Sequence, residues 1–333
     1  MKFIISFIAF IVSAHAYAKQ PILCEQYFET WQRSDKNPVL RDVMESEPFP
    51  YEGASDAHVF FDGRKLKAIY SGDGGQEGSA IMLAHATSWE NWQLKGRLNM
   101  PKSDDGWDYN QETAFHRKSK TGQHQVYYIG YPTEEDYEAH IFMAEAASLE
   151  GEFSPSKRVL KPDMVKGADV YLFTSPSVVE HEDVLYMVAV GWDDFKNVSN
   201  VWSIGAESRD DGQTWTNARI VDVPIAMEGQ LTKGPDGYFY ATRSSEYKDG
   251  EAIFIARAKH PLGPYQDFKG PALKRRGAPR EVDGLTAPQL TFSPLSGWPY
   301  LYYLASDHKK GWWTMLAKST PNELFSPSGC YAP

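Results

Sequence analysis

The chain has 333 residues, 34 basic and 44 acidic side chains, and a formal net charge of −10. That balance, with no basic cluster beyond Lys274-Arg275-Arg276, argues against nucleic acid and anionic membrane surfaces as partners, and the triplet reads as a solvated loop. After the first eighteen residues no apolar run approaches the ~20 residues of a spanning helix, so a membrane-embedded domain is excluded as well.

Met1 and Lys2 precede an apolar run from Phe3 to Val12 and the small-residue end Ala14-His15-Ala16-Tyr17-Ala18. This is the pattern of a secretory signal peptide, residues 1–18, cleaved before Lys19. Residues 19–333 are expected to form one soluble domain, secreted or periplasmic. The two cysteines, Cys24 and Cys330, stand at opposite ends of that domain. In an oxidising compartment they are expected to form one disulfide that ties the termini together, a free pair being the alternative. Gln26 to Trp31 offers a helical turn or two, and no long amphipathic helix follows.

Five hairpins come next, each a pair of β-prone runs around a turn: Asp56 to Ser71, Thr113 to Gly130, Ser175 to Gly191, Glu228 to Arg243 and Pro288 to Ser306. Their turns are Asp62-Gly63, Lys120-Thr121-Gly122, Glu182-Asp183, Pro235-Asp236-Gly237 and Ser296-Gly297. Downstream of each lies an apolar strand ending in a small-polar-small triplet: Ala84-His85-Ala86, Ala144-Glu145-Ala146, Ala206-Glu207-Ser208, Ala256-Arg257-Ala258 and Ala317-Lys318-Ser319. The unit thus recurs roughly every sixty residues and holds three strands with room for a fourth. One such sheet cannot bury both faces, and radial closure removes its exposed edges. The expected fold is all-β, a five-bladed β-propeller, its ring closed near the Cys24–Cys330 disulfide.

In a propeller the first strand of each blade lines the central channel and the second runs back beside it. Asp56, Glu112, Ser175, Glu228 and the segment from Asp283 to Ala287 are therefore expected around one mouth. Loops on that face carry Tyr137, Trp192, Asp193, Tyr247, His308 and Trp312. Most of the ten tryptophans and nineteen tyrosines should fill space between blades, whereas Trp107, Trp192 and Trp312 fall near the mouth. Aromatics mixed with carboxylates suit a carbohydrate, whose rings have apolar faces and hydroxyl edges. His58, Arg243 and His308 complete the expected substrate-binding set.

Glycoside hydrolysis needs two carboxyl groups across the scissile bond, one protonated and one ionised. Asp56 opens the first blade and Glu228 the fourth, so they face each other across the channel. Aromatic walls would raise a carboxyl pKa there, which suits Glu228 to an acid role. The plainer reading of both is a strand-start carboxylate capping backbone amides.

The segment from Glu228 to Tyr240, Glu-Gly-x-Leu-x-Lys-x-x-Asp-Gly-Tyr-x-Tyr, resembles the fourth-blade signature of the five-bladed glycoside hydrolases of family 43 and its relatives. Ser55-Asp56-Ala57-His58-Val59 followed by Asp62-Gly63 is similar to their first-blade motif, with Ala57 where Pro is usual. The resemblance covers nearly the whole mature chain and implies Glu228 as general acid and Asp56 as the base that activates water, with inversion at the anomeric carbon. A retaining, invertase-like course would make Asp56 a nucleophile, but that group's Asn-Asp-Pro-Asn surroundings are missing. Where the family carries a third-blade Asp that tunes the acid, Thr174-Ser175-Pro176-Ser177-Val178 has Ser175. Glu112, or else Asp283, would replace it from a neighbouring blade. If neither does, the chain is a non-catalytic carbohydrate-binding propeller.

Ser208-Arg209-Asp210-Asp211-Gly212-Gln213-Thr214-Trp215 fits the structural "Asp box" turn familiar from sialidases, but it occurs once. A phosphorylase on the same fold would need only a few cations such as Arg243. No Cys/His spacing suits zinc, no phosphate-cradling glycine loop occurs, and no cofactor is expected. Relatives with calcium in the channel use a fifth-blade His that Leu285-Thr286-Ala287-Pro288 does not supply. The sugar, the linkage, exo or endo action and the oligomeric state are left open.

Overall fold

The computed structural model describes residues 26–41, 43–44, 51–73, 78–133, 136–194, 196, 199–225, 228–247, 250–277, 280–307 and 311–320. The signal peptide, Cys24, Cys330 and His308 lie outside the described residues, so the expected disulfide and the expected role of His308 do too. The described chain is nearly all β and folds as a five-bladed β-propeller. No described helix is long and apolar enough to cross a membrane.

The first blade consists of Ser55–Asp62, Lys65–Asp73, Ser79–Ser88 and Asn91–Arg97. The second consists of Asn110–Lys118, His124–Tyr131, His140–Ala146 and Lys157–Leu160. Leu172–His181, Val184–Trp192, Val201–Ser208 and Thr216–Ile220 form the third. In the fourth, Leu231–Lys233, Phe239–Tyr247 and Gly250–Ala258 are edged by Gln266–Asp267 and Leu273–Lys274. The fifth has Gly284–Phe292, Pro299–Asp307 and Gly311–Ser319.

Blades stack face to face, so their middle strands are covered on both sides and lose the alternation of a one-sided sheet. Every residue of His124–Tyr131 is buried. The core is accordingly divided among the interfaces between blades. Phe60, Ile69, Val126 and Tyr128 join the first to the second, and Phe115, Tyr127, Phe173 and Met187 join the second to the third. Val179, Val188, Leu231 and Phe239 join the third to the fourth, and Tyr240, Ile253, Leu285 and Leu301 the fourth to the fifth. Val59, Tyr70, Tyr302 and Leu316 return from the fifth to the first. Each buried side chain of this size contributes about 1.5–3 kcal/mol, so the ring is held by many comparable contacts.

Closure depends on the N-terminal segment. The last strand of the fifth blade, Gly311–Ser319, would be an unpaired edge. Trp31–Arg33 pairs with it antiparallel, Trp31 opposite Ser319, and Tyr51–Gly53 pairs with its start in parallel. Arg33 then donates to both oxygens of Glu281 at 2.6 and 2.9 Å, and the Tyr303 hydroxyl donates to the same carboxylate at 3.0 Å. The helical turn expected before Trp31 is Gln26–Glu29.

Four innermost strands slip register near their start, between Ser55 and His58, Glu112 and Phe115, Thr174 and Ser177, and Thr286 and Gln289. A left-handed residue sits at each slip: Asp56 at φ 51°, Thr113 at 45°, Ser175 at 50° and Ala287 at 43°. In the fourth blade Glu228 occupies the same place at φ 62°. Such bulges re-aim a side chain at about 1–3 kcal/mol of backbone strain. The β-branched Thr113 is held there because its N–H donates to Ser71 Oγ at 2.9 Å and its hydroxyl accepts the Ser175 N–H at 3.3 Å. The second-blade counterpart of Asp56 and Glu228 is thus Thr113, and Glu112 stands one residue before it.

Candidate active site

At one mouth of the channel lies a cavity of about 450 Å³. Asp56 and Ser55 from the first blade and Trp192 from the third line one part of it. Glu228 and Glu251 from the fourth blade, with Asp283, Gly284, Thr286, Leu304, Ser306 and Trp312 around the fifth, line the rest. The two left-handed residues Asp56 and Glu228 both line this single hollow.

The two carboxyls are both held above their ordinary range. Burial pushes Asp56 up to about 6, the Glu112 charge adds to it, and hydrogen bonds from Ser55 and Ser71 oppose it. Burial also lifts Glu228 to about 8, helped by the Asp56 charge and then Glu112, while the Thr286 hydroxyl, 3.3 Å from Glu228 Oε2, pulls it down. Burial and mutual repulsion thus hold both carboxyls up, Glu228 further than Asp56, the order that acid–base catalysis by a carboxyl pair needs.

Glu112 is half-buried and is not among the residues that line the cavity. The Tyr131 hydroxyl donates to its Oε1 at 2.8 Å and the Tyr137 hydroxyl to its Oε2 at 3.0 Å. Its carboxylate is therefore fixed while its charge reaches both members of the pair. Ser175 is buried at the third-blade bulge and puts no charge there.

Of the expected sugar-contacting residues, Trp192 and Trp312 line the cavity, and the Trp192 indole is anchored by donating to Thr174 Oγ1 at 3.1 Å. Three others lie elsewhere. Trp107 stacks on His140 at 5.1 Å between centroids, has the Arg158 guanidinium 4.7 Å over its ring, and donates to the Glu138 carbonyl. Strand alternation turns Thr242 and Ser244 toward the fifth blade, where they meet Pro288 and Thr286, and turns Arg243 to the opposite face. There Arg243 binds both oxygens of Asp267 at 2.7 and 3.2 Å and covers Phe254, away from the mouth. His58 is buried deeper in the channel, 4.1 Å from the Phe115 ring centroid, with Nδ1 3.1 Å from Gln289 Nε2 and 3.4 Å from Gln230 Oε1. Burial pushes its pKa down to about 4, so it is neutral, and it faces a second cavity of about 380 Å³ at the opposite end.

Thr286 falls in the Asp283 to Ala287 segment expected at the mouth, whereas Glu251, Leu304 and Ser306 are not singled out by the sequence. Glu251 and Ser306 mark strand ends on the face already assigned to the mouth, and that position was the only signal. Among the described residues no group of three or more His, Cys, Asp or Glu side chains is placed to hold a metal ion. The Ser208 to Trp215 turn is structural: Asp210 accepts from the Ser208 and Thr214 hydroxyls at 2.8 and 2.6 Å, and Trp215 is buried.

A sequence-family model described as "Glycosyl hydrolases family 43" matches residues 53–320. No curated protein matches the chain. Among solved structures, the chain is similar to a thermostable family-43 glycoside hydrolase, at 16% identity and a TM-score of 0.59 over 80% of this chain and 88% of that one. It is also similar to the catalytic domain of the Coprinopsis cinerea GH62 alpha-L-arabinofuranosidase, at 10% identity and a TM-score of 0.66 over 87% and 96%. The endo-1,5-alpha-L-arabinanase of Thermotoga petrophila matches at 15% identity and a TM-score of 0.55 over 82% and 72%. At such identities the likeness is one of fold.

Proposed function

The chain belongs to glycosyl hydrolase family 43, and from that membership we propose that it hydrolyses a neutral poly- or oligosaccharide with Glu228 as general acid and Asp56 as general base. The observation that carries this is the sharing of one cavity by two buried carboxyls, both held above their ordinary range and Glu228 further than Asp56. Asp56 therefore ionises first, while Glu228 keeps its proton. Glu228 protonates the glycosidic oxygen as the bond to the anomeric carbon breaks. Asp56 takes a proton from the water that attacks the opposite side, so the configuration inverts. Both carboxyls end with exchanged protonation and are reset by solvent.

Glu112 acts through the other two: held by Tyr131 and Tyr137, it keeps the proton on Glu228 in place of a third-blade carboxylate. Trp192 and Trp312 offer apolar faces for sugar rings. The names of the structural neighbours, among them an arabinofuranosidase, an arabinanase and a xylan beta-1,4-xylosidase, make arabinose- and xylose-containing plant polysaccharides the first substrates to try. With residues 1–18 as an export signal, the enzyme would work outside the cytoplasm.

Ser175 favours one second reading, a propeller that binds carbohydrate without cleaving it. Aryl glycosides, arabinans and xylans incubated with wild type and Glu228→Gln decide between the two. Hydrolysis by wild type, with a bell-shaped kcat/KM profile whose limbs fall near pH 6 and 8 and an inverted product by NMR, supports the enzyme. Binding by both proteins with turnover by neither supports the second reading.

A further inference from the structure

Glu228 has two carboxyl oxygens, and an acid role needs its proton on one of them. The Thr286 hydroxyl donates to Oε2 at 3.3 Å. A protonated carboxyl accepts through its carbonyl oxygen and donates through the other. With Oε2 held as the acceptor, the proton belongs on Oε1.

A hydroxyl has one proton, so the direction of this bond fixes the direction of the next. Ser244 Oγ lies 3.2 Å from Thr286 Oγ1. Because Thr286 gives its proton to Glu228, Ser244 is the donor in the bond to Thr286, and the bonds run one way, from Ser244 to Thr286 to Glu228. Ser244 is 3% exposed and meets Thr286 across the interface between the fourth and fifth blades.

The backbone around Thr286 is fixed from two sides. Thr286 pairs with Leu304 as the last residue in register before the strand slips to Gln289. The preceding residue, Leu285, donates its N–H to Glu251 Oε2 at 2.6 Å, so the third strand of the fourth blade grips the segment that carries Thr286. Thr286 and Glu228 both line the cavity.

The bond to Oε2 gains strength as the reaction proceeds. Before proton transfer Oε2 is a neutral carbonyl. Once Oε1 has given its proton to the leaving oxygen, the carboxylate charge spreads onto Oε2, and a hydrogen bond to a charged acceptor is roughly twice as strong as one to a neutral acceptor. An interaction that strengthens along the reaction lowers the barrier as well as holding the ground state. The same bond pulls the Glu228 pKa down against burial and the charges of Asp56 and Glu112. Glu228 also lies in the field of the Tyr137 hydroxyl, and Glu251 and Asp283 share its cavity wall.

We propose that Thr286, its hydroxyl oriented by Ser244, holds Oε2 of Glu228 and so assigns the acid proton to Oε1, the oxygen left to meet the glycosidic bond. Thr286 and Ser244 are positioning residues that act through Glu228. The proposal rests on the hydrolase reading, but its first test needs no turnover.

Protein labelled with carbon-13 at the glutamate carboxyls is titrated by NMR, the Glu228 signal being the one absent from Glu228→Gln. Thr286→Val keeps the side-chain shape and removes the donor. The Glu228 titration should then rise by about half to one pH unit, and Thr286→Ser should return it toward wild type. Ser244→Ala should raise it by less than Thr286→Val does. Where the enzyme turns over, Thr286→Val should move the alkaline limb of kcat/KM upward and lower kcat about 5- to 10-fold on an unactivated glycoside. On a dinitrophenyl glycoside, whose leaving group departs without a proton, the loss should be under about twofold. Thermal melts show whether each variant is folded, and Thr286→Ala compared with Thr286→Ser carries the test if Thr286→Val is not. A Glu228 titration that stays put in the variant lacking the hydroxyl, one that Thr286→Ser does not restore, or equal rate losses on the two glycosides overturns the proposal. An unmoved titration in Ser244→Ala overturns the part given to Ser244. The expected titrations without hydrolysis of any glycoside uphold the hydroxyl chain and overturn the catalytic reading alone.

Discussion

Replacing Glu228 by Gln should stabilise the protein while removing its activity, and the stabilisation should grow with pH. The carboxyl has its pKa raised from 4.5 to about 8 by burial and by the Asp56 charge. An acid whose pKa is higher in the folded state than in the unfolded one is held protonated by folding. Its folded-state advantage is complete below pH 4.5 and is lost as pH climbs toward 8, because the folded protein must then either keep a proton or bury a charge. Glutamine is neutral throughout. At about 1.4 kcal/mol per pH decade, the variant should gain about 2 kcal/mol over wild type near pH 6 and on the order of 5 kcal/mol above pH 8. For a chain of this size that is a rise in Tm of about 3 °C growing to about 7 °C. Calorimetry of both proteins from pH 4 to 9 measures it. The same variant should lose about 10²- to 10⁴-fold in kcat on unactivated glycosides. A Tm difference that stays constant across pH 5–9 would refute the claim that burial holds the proton on Glu228.

Glu112→Gln removes the charge that raises both Asp56 and Glu228, so both limbs of the kcat/KM profile should move to lower pH together. A profile that only loses height, without moving, would reduce Glu112 to a structural role. Arg33→Ala leaves Glu281, whose side chain is 3% exposed, without its ion-pair partner at the seam of the ring, with the Tyr303 hydroxyl and the Arg276 N–H as its remaining donors. It should cost about 3–5 kcal/mol in urea unfolding, and a loss below 1 kcal/mol would show that the seam is held otherwise. Asp211 joins the third blade to the second through Arg117 and the Lys120 N–H, each at 2.8 Å. Asp211→Ala should cost about 2 kcal/mol with unchanged activity per folded molecule, and a selective loss of activity would mean that this turn reaches the site.

The five hairpins were readable because each turn carries its own chemistry, as in Asp62-Gly63 or Pro235-Asp236-Gly237, and because strands covered on both faces are continuously apolar. The pairing of Asp56 with Glu228 was readable for the same reason, since both open an innermost strand. Glu112 was harder. A bulge adds one residue without a distinctive residue type, so nothing in Gln111-Glu112-Thr113 announces that Thr113 takes the left-handed place and Glu112 falls behind it. Trp107 and Arg243 fall outside the cavity lining because a residue number near a mouth does not say which way a side chain turns. His140 and Arg158 capture the one, and Asp267 the other.

Local pattern therefore determined how many blades the chain makes and which strands carry the acids, because turns and apolar runs act within a few residues. Tertiary structure alone decided how the ring closes, with Trp31–Arg33 laid against Gly311–Ser319. It also decided which carboxyls lose their water. Burial, electric field and contact between distant residues arise only when all five sheets are in place.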